Sequence, residues 1–251
     1  MQKIIVLFLV FININTYGQI TNETEISLLQ SGGNSVVETY NSKTEFTLKK
    51  EKRVYSFGGH YTLSSSEKID DSGEKETVES ARNWDAHARY EQELSKHING
   101  FSALQYQGDE FSGYKQRQNI DFGGKYIFKK TDQINSFIEL GLRYTVEKTT
   151  KRDEDDEDEF NYSKGRLYYE FSNKVSNALF YKFWVEYIPN FSESEDYLLS
   201  AEPSLSFVLS ETFSLKTGYK GIYDNQPALN DAGEKNKYLD YIFTTSLIAK
   251  F

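Results

Sequence analysis

Cysteine is absent from this chain. That excludes a disulfide framework, thiolate metal sites and cysteine nucleophiles. Histidine occurs only at His60, His87 and His97. A serine–histidine pair needs hydrogen-bond reach and a third orienting group, and no nucleophile motif supplies them, so an enzyme is not expected. No glycine-rich phosphate loop or zinc motif is present, and no calcium-loop spacing. No cofactor and no metal are therefore expected. Basic residues are outnumbered, 29 against 38 acidic ones, for a net charge of −9. This excess argues against nucleic acid, whose ligands carry a basic footprint. No apolar run approaches the roughly 20 residues of a transmembrane helix.

Aromatic residues are plentiful instead, at 16% of the chain against 38% apolar residues in all. They recur with a period of two, which places them on one face of a strand. The last fifteen residues show this most plainly. Leu239, Tyr241, Phe243, Thr245, Leu247, Ala249 and Phe251 alternate with Asp240, Ile242, Thr244, Ser246, Ile248 and Lys250. This is long for a soluble strand, whose usual length is about 5–6 residues. It ends on an aromatic residue, as suits a closing strand at a water–lipid boundary. With Tyr241, Phe243, Leu247 and Phe251, this end resembles the barrel-closing terminal signal of bacterial outer-membrane barrels, which implies that the barrel assembly machinery reads it.

At the other end Lys3, the apolar run Ile4–Ile12 and Thr16-Tyr17-Gly18 read as an export signal over residues 1–18. No lipobox cysteine accompanies it. The remaining residues, 19–251, are expected to form one domain. About twelve strand-like segments follow, with no convincing helix. Their connections alternate between short turns and long polar loops, as in bacterial barrels. The long ones include Ser64 to Ser80, Gly108 to Lys115 and an acidic stretch from Asp153 to Glu159. That stretch reads as a solvated, self-repelling loop. The expected fold is all-β: a single antiparallel up-and-down transmembrane barrel of about 12 strands.

The face opposite the aromatic one carries most of the charge. Its early members are Lys43, Glu45, His60, Asp85, His87, Arg89 and Glu91. Asp121, Lys125, Glu139, Arg143, Arg166 and Glu170 continue it. Lys182, Glu186, Lys216, Lys220 and Asp240 complete it. Both signs recur at similar depth on neighbouring strands. Two readings stand: a narrow polar pathway for small solutes or ions, or a cross-strand ionic network that fills the lumen. Mixed signs argue against strong ion preference. In a symmetric hairpin turning at Gly73 and Glu74, His60 and His87 would sit opposite each other as members of a polar network.

Ser31-Gly32-Gly33-Asn34-Ser35 and Tyr106-Gln107-Gly108-Asp109-Glu110-Phe111-Ser112-Gly113-Tyr114-Lys115-Gln116-Arg117 resemble motifs of the salt-induced outer-membrane protein family, a YdiY-like domain of unknown function. The resemblance runs from about Thr24 to Phe251. It implies an exported barrel in the outer membrane of a Gram-negative-type bacterium and transfers no catalytic residues. The glycines and Asn34 suit a tight turn, and Asp109, Glu110, Lys115 and Arg117 are placed to pair across the second stretch. Expected partners are outer-membrane lipid and lipopolysaccharide, the assembly machinery and other outer-membrane proteins. The functions in play are a small channel, an accessory barrel in a larger outer-membrane complex, and a closed structural barrel.

Overall fold

The structure is a computed structural model and describes residues 18–31, 37–69, 75–109, 111–112, 114–149, 159–227 and 237–251. The export signal, Gly32 to Asn34 and all of the acidic stretch except Glu159 lie outside them. Twelve strands follow in chain order: β1 Gln19–Ser31, β2 Val37–Lys50, β3 Arg53–Ile69, β4 Lys75–Glu93, β5 Ile98–Asp109 and β6 Tyr114–Lys130. Then come β7 Ile134–Thr149, β8 Glu159–Lys174, β9 Leu179–Pro189, β10 Tyr197–Val208, β11 Phe213–Asp224 and β12 Leu239–Lys250. Each strand pairs antiparallel with its sequence neighbour, and β12 returns to β1, closing the barrel. Closure pairs the strands' backbone groups around the wall, the condition for crossing hydrocarbon with strands, except along part of the β1–β12 seam.

The outward set is apolar and exposed: Leu104, Phe122, Leu140, Leu142, Tyr241 and Phe243 are examples. Aromatic pairs gather toward its two margins. Tyr55 stacks near Tyr90, and Phe171 near Tyr181, on the side of the short turns. Trp84 meets Tyr106, and Tyr187, Tyr197 and Tyr223 form a run, on the other side. Two aromatic girdles around an apolar band are the surface of a transmembrane barrel. The turns after β2, β4, β6, β8 and β10, such as Glu51–Lys52 with Glu51 at φ 51, lie at the end of the first girdle.

The expected long loop from Ser64 to Ser80 is instead mostly strand. β3 and β4 continue to Ile69 and from Lys75, with Ser66 opposite Val78 and Glu67 opposite Thr77. Polar residues on both faces hid this from a periodicity reading, but a ribbon in water needs no apolar face. Lys75 and Glu67 meet there at 3.0 Å. The register shifts between Ser64 and Ser65, leaving Ser80 as a bulge. The connection from Gly108 to Lys115 is likewise shorter than expected, since β5 runs to Asp109 and β6 starts at Tyr114. β1 covers 13 residues, Gln19–Ser31. Pro203 interrupts the β10–β11 ladder, which skips from Ala201 to Ser204, because proline has no N–H to give.

The closing seam differs from the other ladders. β11 and β12 pair from Phe213–Ala249 to Tyr223–Leu239. β1 and β12 pair only over Glu23–Lys250, Thr24–Ala249, Glu25–Ile248 and Ile26–Leu247. Below these, Asn22 and Phe251 exchange two backbone hydrogen bonds of 2.8 and 2.9 Å.

Candidate functional site in the barrel lumen

The inward face is built by the same alternation that exposes the aromatic residues. On β6 to β8 it forms a packed ionic wall. Arg143 donates twice to Asp121, both bonds at 2.7 Å. Arg166 donates to Glu139 at 2.7 Å and to Glu186 on β9 at 2.6 Å. Arg89 reaches Glu139 from β4, with Nη2 2.7 Å from Oε1. Lys125 donates to both oxygens of Glu91 at 3.2 Å, and Asn99 donates to Glu91 at 2.6 Å. Lys182 pairs with Glu170 at 2.9 Å. Paired, hydrogen-bonded charges of this kind avoid the large cost of isolated buried ions.

Phe101 sits inside this wall. Its inward ring lies over Gly123 and Gly141, where a Cβ would stand 2.6 and 3.3 Å from its Cζ. The Arg89 guanidinium covers the ring at 4.1 Å from its centroid, and that of Arg166 stands at 5.9 Å. The missing glycine side chains make the space; the two cations favour a π-face in it. Leu104 and Tyr106 on this strand face outward and are exposed, and Phe101 belongs to the opposite set. Counting back by twos from Gln107 puts it inside. The same count on β7 finds Phe137, buried and inward, and Ile248, from the inward set of β12, is buried as well.

On β2 to β4 the lumen carries a hydrogen-bonded chain of five side chains, which begins where His60 Nε2 meets Asn83 at 2.8 Å. His60 and His87 do not sit opposite each other. Below the Ser80 bulge the register sets His60 against Asp85 and His87 against Gly58. Asp85 therefore stands between the histidines, with one oxygen on His60 Nδ1 and the other 2.7 Å from His87 Nδ1. His87 Nε2 meets Glu45 at 2.7 Å. No cluster among the described residues has the make-up of a metal site.

Elsewhere on the inward set, Lys216 bridges Glu202 at 3.0 Å and Glu25 at 3.4 Å. Lys220 lies 5.8 Å from the Trp184 ring centroid. Lys43 is exposed although it shares the inward face with Glu25, its register partner. Asp240 is exposed at the end of β12, opposite Ile222. Among the described residues, the expected pairing of Asp109 with Lys115 or Arg117 across the β5–β6 turn does not form. Arg117 donates to Glu147 on β7 at 2.6 Å instead, and Asp109 accepts from Ser112 within the turn. Glu110 and Gly113 lie outside the described residues.

The family described as "Protein of unknown function, DUF481" matches residues 24–251. No curated protein matches the chain. Among solved structures, an outer-membrane channel from Pseudomonas putida F1 aligns with a TM-score of 0.52 at 5% identity, over 93% of this chain and 96% of that one. The translocator domain of autotransporter NalP from Neisseria meningitidis aligns with a TM-score of 0.50 at 8% identity, over 95% and 89%. At such identities the likeness is one of fold.

Proposed function

The chain belongs to the DUF481 family, and from that premise we propose that it is an outer-membrane barrel whose lumen passes small polar solutes or ions. The observation that carries this is the asymmetry of the inward face. On β6 and β7, Asp121 and Glu139 side chains are 9% and 4% exposed. On β2 and β3, Glu45 and His60 side chains are 29% and 34% exposed, and Lys43 is exposed outright. These residues lie between the two aromatic girdles, so the water that reaches them is inside the barrel. The ionic wall narrows the lumen and stiffens it; the β2–β4 side leaves room for a wet path. Exposed groups of both signs along that path fit weak ion preference.

The ionic wall also supports a second reading, an accessory or structural barrel with no transport. Planar-bilayer recordings separate the two. Channel function predicts stepwise conductance that drops when Lys43→Cys, the only thiol in the chain, reacts with a bulky methanethiosulfonate. A silent bilayer with correctly folded protein would leave the structural reading standing.

A further inference from the structure

The β1–β12 seam is zipped at the turn side and open toward the other girdle. Beyond Ile26–Leu247, Ser27 to Ser31 pair only with β2, and Leu239 to Ser246 pair only with β11. Unpaired strand edges are costly in hydrocarbon, and this pair faces it. Leu28 on one lip and Phe243 and Tyr241 on the other are outward and exposed. The outward lips of the slot are therefore apolar, and the slot runs up to Leu239, the register partner of the girdle residue Tyr223.

Its lumen side is unusual as well. Leu29 and Ile242 belong to the inward set, opposite Thr39 and Lys220, yet they are 57% and 47% exposed. Inward apolar residues far from the slot, such as Phe101, Ile127 and Phe137, are each 6% exposed. Leu29 and Ile242 thus border a gap rather than fill a core. Lys220 is the register partner of Ile242, and Lys43 stands on the same inward face beside Glu25; neither lysine has an ion pair among the described residues.

From this we infer that the upper seam is a lateral portal through which an anionic single-chain amphiphile passes between the bilayer and the lumen. The aliphatic lips suit its chain. The free N–H groups of the two edges and the lysines suit its carboxylate. Sugars and inorganic ions fit poorly, because they do not partition into hydrocarbon. The inference rests on the membrane-barrel reading above but not on conduction.

The test uses a diazirine-bearing palmitate with the full barrel in phosphatidylcholine vesicles, photolysed and mapped by peptide mass. Label is expected on inward Ile242 and Lys220, displaced by unlabelled palmitate. Continuing the register sets Leu29 opposite Thr244, so oxidised Leu29→Cys/Thr244→Cys closes the slot and should reduce that label to background. Thr24→Cys/Ala249→Cys, already paired in the closed part of the seam, should leave it unchanged. Ile242→Trp, which fills the slot without a crosslink, should act like the lock, read at Lys220. Label spread evenly over outward side chains, or inward label that survives the lock, overturns the portal. Bilayer recordings on the same samples keep the proposals apart: silent membranes with lock-sensitive label defeat the channel and leave the portal.

Discussion

Arg89 on β4 and Glu139 on β7 meet at 2.7 Å although β5 and β6 stand between them. The reach is possible because the intervening inward positions are small or recessed: Ala103 faces Arg89 in register, and Gly123 faces Gly141. Glu139 also accepts from Arg166 at 2.7 Å, so one carboxylate serves two guanidinium groups. Removing it leaves two buried cations short of a partner. Glu139→Ala should therefore destabilise the barrel by about 3–5 kcal/mol, the cost typical of breaking a buried pair. Reversible urea unfolding in lipid vesicles measures this, and a loss near zero would mean that the lumen there is wetter than its burial implies.

Phe101 gives a test of the same wall by shape. A Cβ at Gly123 would lie 2.3 Å from the Leu140 carbonyl oxygen and 2.6 Å from Phe101 Cζ. Neither can move without disturbing the ring or the β6–β7 ladder. Gly123→Ala should cost about 1–3 kcal/mol, the usual range for overpacking. Gly124 is its internal control, for its added Cβ would find only the Asn99 carbonyl, at 3.9 Å. Equal losses at the two glycines would mean that the cost is not specific to the Phe101 niche.

The two faces of the wall should differ in their tolerance of charge. Leu142→Arg places a guanidinium on the lipid side and should cost about 2–4 kcal/mol if it lies near the bilayer midplane. Thr244→Arg, inward and only half-buried, should cost much less. Equal destabilisation in vesicle unfolding would falsify the assignment of faces. Thr145 is not an equivalent control, although it too points inward. It is 1% exposed and donates to Asn119 at 2.8 Å, so an arginine there would meet protein on every side.

Thr145 marks the limit of what the chain discloses unaided. A period of two assigns each residue to a face, and that was enough for the strand number, the closed barrel and the inward position of Asp121, Glu139, Arg143 and Arg166. It cannot say which inward residues are packed and which are wet, because that depends on neighbours two or three strands away. His60 and Asp85 show a second limit. A hairpin turning at Gly73 and Glu74 would set Ile69 against Val78, but its partner is Lys75, and the bulged Ser80 then moves the partner of every position below it by one residue; a run of polar residues gives no sign of either offset. The incomplete seam is a third. It joins the first strand to the last, and no local pattern in either reveals how many of their residues will pair.

Phe251 bears on that seam directly. Its N–H and carbonyl exchange hydrogen bonds with Asn22, extending a ladder that otherwise holds only from Glu23–Lys250 to Ile26–Leu247. Deleting Phe251 removes both bonds, each with a net worth of about 0.5–1.5 kcal/mol, so closure should weaken by about 1–3 kcal/mol. The ring itself is exposed at the turn-side margin, where an aromatic residue anchors a barrel at the water–lipid boundary. Phe251→Ala keeps the backbone bonds and loses only that anchor. If the seam depends on its hydrogen bonds, the deletion should lower the temperature at which the folded form unfolds on semi-native gels more than the alanine variant does. Equal shifts would assign the effect to the ring and leave the four register pairs as the whole of the closure.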